Sequence, residues 1–318
     1  MCGIVGLFIK NPALEPRLGE CLAAMLVEMG ERGPDSAGVA IYRAPVAGGS
    51  TKVTVLHEDR GYPWDGLLAE LRAEFGPECA LERRVTHAVL IVPAAGERIQ
   101  GWLHRAHPEL YITSSGSAIE IFKDRGSPAG IVERFGIRAM RGSHALGHTR
   151  MATESAVTTR HSHPFSTGHD LCLVHNGSLS NHNRLRARLA KRGVDFQTDN
   201  DSEVAAGYLM WRMREGDSLA AALRAAVADL DGFYTFAVAS RDGFAVLRDP
   251  IGCKPAVMAE TDEWAAMASE FRAIATLPGV DQARVWEPEP ERVYSWQRGP
   301  GGAWSGPGER RAAPRAAG

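Results

Sequence analysis

The second residue of the chain is a cysteine, in Met1-Cys2-Gly3-Ile4-Val5-Gly6, and a cysteine there can do chemistry that it cannot do elsewhere. Once the initiator methionine is removed, Cys2 carries a free α-amino group beside its own thiol. The reference pKa values are about 8 for the amine and about 8.5 for the thiol. The amine can therefore take the thiol proton, and the thiolate can attack a carbonyl carbon. The competing reading is an ordinary second residue at the head of an apolar strand, and the N-terminus alone does not separate the two.

A thiolate that attacks a carbonyl needs donors for the oxyanion it creates. Leu171-Cys172-Leu173-Val174-His175 reads as a buried strand running into Asn176-Gly177-Ser178-Leu179. Asn followed by Gly at a strand end signals a hairpin corner, yet a side-chain amide beside a backbone N–H is also what an oxyanion requires. Residues 145–153, ALGHTRMAT, read as a strand ending in an exposed arginine, Arg150, and His161-Ser162-His163-Pro164-Phe165 follow. In Thr198-Asp199-Asn200-Asp201-Ser202-Glu203 either Asn200 or Asp201 can cap the helix that begins at Val204. Standing alone, that acidic cluster is only an N-cap.

The other reactive side chains carry less. The five cysteines (Cys2, Cys21, Cys79, Cys172 and Cys253) are odd in number, widely spaced and without a CxxC pair, which argues against a disulfide framework and against structural zinc. The last four are expected to be small core hydrophobes. His87, His104, His107 and Lys123 have no metal-ligand spacing and read as structural or solvated.

Positioning these residues takes a full globular core. The chain has 318 residues, 44% hydrophobic, with a formal net charge of −2, enough for one large domain or two smaller ones. No basic excess points to nucleic acid, and no apolar run is long enough to span a bilayer. A cytoplasmic protein is expected. Apolar spacing predicts a helix over 14–30, and Arg32-Gly33-Pro34-Asp35-Ser36-Ala37-Gly38 a tight turn feeding a strand. Within 44–140, strands are expected at 52–56, 85–92 and 118–122 and helices at 64–75 and 127–135, as a small inserted α/β lobe. Helices at 180–192, 204–213 and 218–230, and short strands at 234–240, 244–248, 255–259 and 264–268, complete a pattern of layered sheets with helices outside. From 296 to 318 the Gly, Pro, Ala and Arg content predicts a disordered tail.

Taken together, CGIVG at 2–6, RGPDSAG at 32–38, GHTRMAT at 147–153, His163-Pro164-Phe165, HNGSLSN at 175–181 and TDNDSE at 198–203 resemble the class II glutamine amidotransferases of the N-terminal-nucleophile hydrolase fold. The resemblance implies an α+β fold, an αββα sandwich of two antiparallel sheets between helical layers, with residues 1–295 as one amidotransferase domain that contains the 44–140 insert. It implies that Cys2 attacks the side-chain amide of L-glutamine, that Asn176 and Gly177 hold the oxyanion, and that Arg150, Thr153 and Asp201 bind the substrate. Arg32 and His163 have supporting roles in the family. Met151 and Glu154 depart from the sugar-phosphate branch, where a Trp and a His stand. The stretch RDPIGCKP at 248–255 with Ala268-Ser269-Glu270 resembles framework of the phosphoribosyl-pyrophosphate amidotransferases.

No Gly-rich phosphate loop and no sugar-isomerase lobe is legible, so the chain resembles stand-alone GlxB-type proteins and the A subunit of N-methylglutamate synthase. That implies a separate, glutamate-synthase-like partner subunit that uses the ammonia, with any flavin or iron–sulfur group in the partner and no cofactor or metal in this chain. Two other readings share the residues: a non-catalytic glutamine-sensing subunit, and an amidohydrolase of the same fold acting on another amide. Neither needs the full set of nucleophile, oxyanion donors and paired charges.

Overall fold

The structure, a computed structural model, describes residues 2–152, 157–299 and 304–305. In chain order, β1 (Gly3–Ile9), α1 (Leu18–Glu28), β2 (Ser36–Tyr42), β3 (Thr51–Leu56), α2 (Trp64–Phe75), β4 (Ala80–Arg84), β5 (His87–Val92), α3 (Gly96–Ala106), β6 (Tyr111–Gly116), β7 (Ile119–Arg125) and α4 (Pro128–Phe135) make the first part. Then come β8 (His144–Arg150), β9 (Phe165–Gly168), β10 (Leu171–Leu179), α5 (His182–Ala190), α6 (Asp201–Arg214) and α7 (Leu219–Asp229). The remaining elements are β11 (Gly232–Ser240), β12 (Gly243–Arg248), β13 (Val257–Glu260), β14 (Trp264–Ala268), α8 (Phe271–Ile274), β15 (Arg284–Trp286), β16 (Tyr294–Arg298) and β17 (Trp304–Ser305).

Period-two burial builds the layers. Along β1, Val5, Leu7 and Ile9 face a core shared with α1, α4 and α8, whereas Ile4 and Phe8 face a second core. That second core lies between the sheets, where Cys172 and Val174 of β10 and Phe244 of β12 meet them. On its far face β10 turns Leu171 and Leu173 to a third core under α5, α6 and α7. Strands buried on both faces read as continuous apolar runs, as GIVGLFI does. The result is helix, seven-stranded sheet (β15-β13-β14-β1-β8-β2-β7), six-stranded sheet (β17-β16-β12-β11-β10-β9), helix, an αββα sandwich whose described strand pairings within both sheets are antiparallel.

A separate four-stranded sheet, β4-β5-β3-β6, forms the small lobe with α2 and α3. It takes only 51–116 of the expected 44–140 insert: β7 adds to the edge of the large sheet against β2, and α4 packs against that sheet's helical layer. The expected tail boundary at 296 falls inside a strand: Tyr294–Arg298 is paired to β12 and Trp296 is fully buried. Residues 300–303 and 306–318 lie outside the described residues. Cys253 is exposed, against the expectation of a core position, while Cys21, Cys79 and Cys172 are buried; it sits in the surface loop between β12 and β13.

The β6–β7 crossing is locked to the main sheets by Asp170, between β9 and β10. Its Oδ2 accepts from Ser117 N–H and Oγ–H at 2.8 and 2.7 Å, and its Oδ1 from Ala118 and Ile119 N–H at 2.8 and 3.0 Å.

Candidate active site

The first strand is central in the large sheet, between β8 and β14, so its N-terminal end carries Cys2 to a point where both sheets end. Two side chains close on the Cys2 carbonyl. Arg32 Nε donates to it at 3.0 Å from the turn after α1, and Asn176 Nδ2 donates at 3.3 Å from the other sheet. The thiol of Cys2 is half-buried and free of any disulfide. Behind it, Ser269 extends the β14 ladder: Ile4 N–H donates to Ser269 Oγ at 2.9 Å, and Ser269 N–H to the Ile4 carbonyl at 3.0 Å. Glu270, next in sequence, pairs with Arg32 and with Arg272. The Arg32 hydrogen bond holds its carboxyl below the ordinary range.

Arg150 ends β8 opposite Ser36 and is buried, 8% exposed, which corrects the expectation of an exposed arginine. The RGPDSAG turn lies directly on it. A Cβ on Gly33 would stand 2.3 to 2.6 Å from backbone atoms of Thr149 and Arg150, so only glycine lets the turn approach. Asp35 then ties down both sides of the arginine: its N–H donates to the Arg150 carbonyl at 3.1 Å, and its Oδ2 accepts from Ala152 N–H at 2.8 Å. Thr153 lies outside the described residues.

Asn176 and Gly177 do not form a hairpin corner. They lie inside β10, opposite Thr235 and Tyr234 of β11, and the strand continues to Leu179. Gly177 has φ +145°, and a Cβ there would sit 1.9 Å from the Phe233 carbonyl oxygen, so no other residue fits without parting the strands. Asp201 is the first residue of α6. Asn200 is the cap, its side chain accepting from Ser202 N–H at 2.8 Å. That leaves the Asp201 Oδ2 to accept from Leu179 N–H at 2.9 Å and to anchor the helix start to the end of β10. Glu203 reaches back past the cap to the N–H groups of Gln197 and Thr198, both at 2.8 Å, and so fixes the loop that leads into α6.

Beneath these groups lies a cluster whose assembly the sequence does not announce. His148, His163 and His175 are all buried, with ring centroids 4.0 Å apart for the first two and 6.4 Å for the last two. Ser202 Oγ is within 2.8 Å of His163 Nε2 and 3.0 Å of His175 Nδ1, and it donates to Asp201 Oδ1 at 3.3 Å. His148 Nε2 donates to the His175 carbonyl at 3.0 Å. Burial pushes His148 down to about 3 and lowers His163 and His175 as well. Lys123 of β7 is also buried, and its Nζ donates to the carbonyls of Arg160, Ser162 and Pro164 at 3.2, 2.7 and 3.3 Å, fixing the loop that carries His163. Desolvation lowers this ammonium to about 7.

The structure thus joins Cys2, Arg32 and Asn176 by direct hydrogen bonds, and His163 to Asp201 through Ser202. Sequence reasoning missed Ser202 and the pairing of His148 with His175, while Lys123, read as structural or solvated, is structural. Ser202 lies inside a motif singled out for its acids, and nothing in residue type marks it. Among the described residues no group of side chains has a metal-binding arrangement, and no helix is long and apolar enough to cross a membrane.

Comparison with known proteins bears on the fold and the family. A glutamine amidotransferase domain model matches residues 148–276. The glutamine amidotransferase-like protein GlxB of Rhizobium meliloti is 52% identical over 93% of this chain and 98% of its own length. Among solved structures, the glutamine phosphoribosylpyrophosphate amidotransferase of B. subtilis superposes with a TM-score of 0.61 at 18% identity, over 98% of this chain. The chain spans about half of that enzyme, 49% of its length, and the likeness is one of fold. By its β-sandwich, its near-terminal cysteine and its full-length similarity to the GlxB protein, the chain belongs to the class II glutamine amidotransferases of the N-terminal-nucleophile hydrolase fold.

Proposed function

We propose that this chain hydrolyses L-glutamine to L-glutamate and ammonia through a thioester on Cys2. The observation that carries the reading is the 3.3 Å contact between Asn176 Nδ2 and the Cys2 carbonyl, which brings an amide donor of one sheet to the nucleophile at the end of the other. With Met1 removed, the α-amino group takes the thiol proton and Sγ attacks the carboxamide carbon. The oxyanion of the tetrahedral intermediate accepts from the Asn176 side-chain amide and the Gly177 N–H. The proton passes from the amine to the leaving nitrogen, the C–N bond breaks, ammonia departs and the thioester forms. Water, deprotonated by the same amine, then attacks the thioester; glutamate leaves and the thiol is restored. A donor of this kind is worth about 10²- to 10³-fold in rate.

In this reading Arg150, with Thr153, grips the substrate α-carboxylate and Asp201 receives the α-ammonium, which together select a free amino acid. Arg32 and His163 order the site. In place of the expected 1–295, the domain runs through β16 to Arg298, with the small lobe inserted. We assign the ammonia to a separate, glutamate-synthase-like subunit; the likeness to the GlxB protein over 98% of its length supports this reading. Glutamate release by the native protein, absent in Cys2→Ala, tests the hydrolysis; retained release in Cys2→Ala overturns it. Native pull-down with identification of the co-purifying chains tests the partner.

A further inference from the structure

The histidine cluster makes sense once its protons are assigned. The His175 carbonyl only accepts, so His148 carries its proton on Nε2. A carboxylate only accepts as well, so the Ser202 hydroxyl proton points at Asp201 Oδ1. That spends the one donor of Ser202 and leaves its two lone pairs, which His163 Nε2–H and His175 Nδ1–H fill. The remaining ring nitrogens, His148 Nδ1, His163 Nδ1 and His175 Nε2, are buried and without hydrogen-bond partners. In this assignment all three are bare lone pairs rather than N–H groups, the less costly kind of orphan. Only one arrangement of protons satisfies every contact, and it runs in a single direction, from two imidazoles through one hydroxyl to the Asp201 carboxylate.

We propose that Ser202 is a positioning residue for Asp201, and that its hydroxyl sets the specificity of the site for the α-ammonium of a free amino acid. This rests on the reading of Asp201 as the ammonium receptor. Asp201 is held at both oxygens: Oδ2 by the Leu179 N–H of β10 and Oδ1 by Ser202. Its side chain is 23% exposed, so the carboxylate keeps an open side while its rotation is fixed. The neutral imidazoles add direction without adding positive charge that would compete with the ligand. Removing the hydroxyl frees one oxygen of Asp201, and the carboxylate can then turn away from the ammonium while Cys2 and Asn176 stay in place.

The test measures L-glutamine affinity by calorimetry in Cys2→Ala protein, where no turnover interferes, alongside steady-state kinetics in protein with Cys2 intact. Ser202→Ala is expected to weaken binding and raise KM at least tenfold, with kcat within about threefold and an unchanged rate of Cys2 alkylation by iodoacetamide. In an Asp201→Asn background the same change should add less than twofold, because the two residues act as one unit. Ser202→Cys, of similar size and poorer hydrogen bonding, must also raise KM and covers an alanine variant that does not fold. Unchanged affinity in a folded Ser202 variant, or a full additional loss on top of Asp201→Asn, overturns the proposal. Ser202-dependent binding with no hydrolysis by the parent protein overturns the reading of the reaction alone, and no glutamine binding by any form overturns both.

Discussion

Two buried polar clusters hold this molecule together, and they are built on opposite principles. Around Asp170 every lone pair in use meets a donor: three backbone N–H groups and one hydroxyl converge on a single carboxylate. Burial raises its pKa, but the Ser117 hydroxyl and the backbone donors outweigh it, so the group is held below its ordinary value. Around Ser202 three imidazoles are packed together with one nitrogen each left without a partner. The first cluster is closed and fastens the lobe crossing to the main sheets. The second is open on its Asp201 side and sits under the reactive groups. Full satisfaction marks a structural clasp, whereas the second cluster leaves buried ring nitrogens without partners beside a half-buried carboxylate that keeps an open side.

The contrast breaks first at Asp170. Asp170→Ala orphans the buried N–H groups of Ala118 and Ile119 and the half-buried one of Ser117, at about 1–3 kcal/mol for each buried group, a large share of a total stability of about 5–15 kcal/mol; urea denaturation should show a protein at or past the edge of folding. An Asp170→Ala protein of unchanged stability would erase the distinction. Asn176→Ala should do the reverse, lowering kcat for glutamine about 10²- to 10³-fold with little change in the denaturation midpoint. Acid should then separate the clusters. His148, His163 and His175 are neutral in the fold and have an unfolded pKa of about 6.5, so their contribution is complete above that pH and is lost as pH falls toward their lowered folded values. Each removes up to about 1.4 kcal/mol per pH unit in that window, and buried His87 and His144, lowered to about 3 and about 4, add to the decline. Asp170 acts later: its stabilisation is whole above about pH 3.9 and disappears only as pH drops through its depressed folded pKa. Stability measured at pH 7.5, 6.5 and 5.5 should therefore fall most steeply below about 6.5, with Lys123, lowered to about 7, adding a smaller decline above it. The smallest effect belongs to the partly exposed Glu270–Arg32 pair, where Glu270→Gln should cost under about 1 kcal/mol.

Much of the sandwich is legible because buried strands and striped helices write themselves into residue type. GIVGLFI and the LCLV start of β10 are apolar on both faces, and α2, α6 and α7 follow their apolar spacing closely. The lobe was harder. Ala80–Arg84 is an edge strand of exposed and half-exposed residues with no apolar face to report, and Gly96–Ala106, which carries two glycines, buries only Ile99 and Leu103. Arg150 looks exposed in sequence because an arginine's burial depends on a turn more than a hundred residues away, through Gly33 and Asp35. The Asn-Gly pair looks like a corner because its local chemistry fits a corner; only the long pairing with β11 makes it a strand interior. Ser202 escapes notice for the same reason, since two of its hydroxyl's three partners, His163 and His175, come from distant stretches of chain.

The central claim is that Cys2 becomes the chain's first residue and carries the acyl group. Mass spectrometry of the protein, acid-quenched during turnover of L-glutamine, tests it most directly. A peptide that begins at Cys2, lacks Met1 and bears a γ-glutamyl thioester is the predicted result. Turnover of glutamine with Met1 retained, or with the adduct on any other residue, would contradict it.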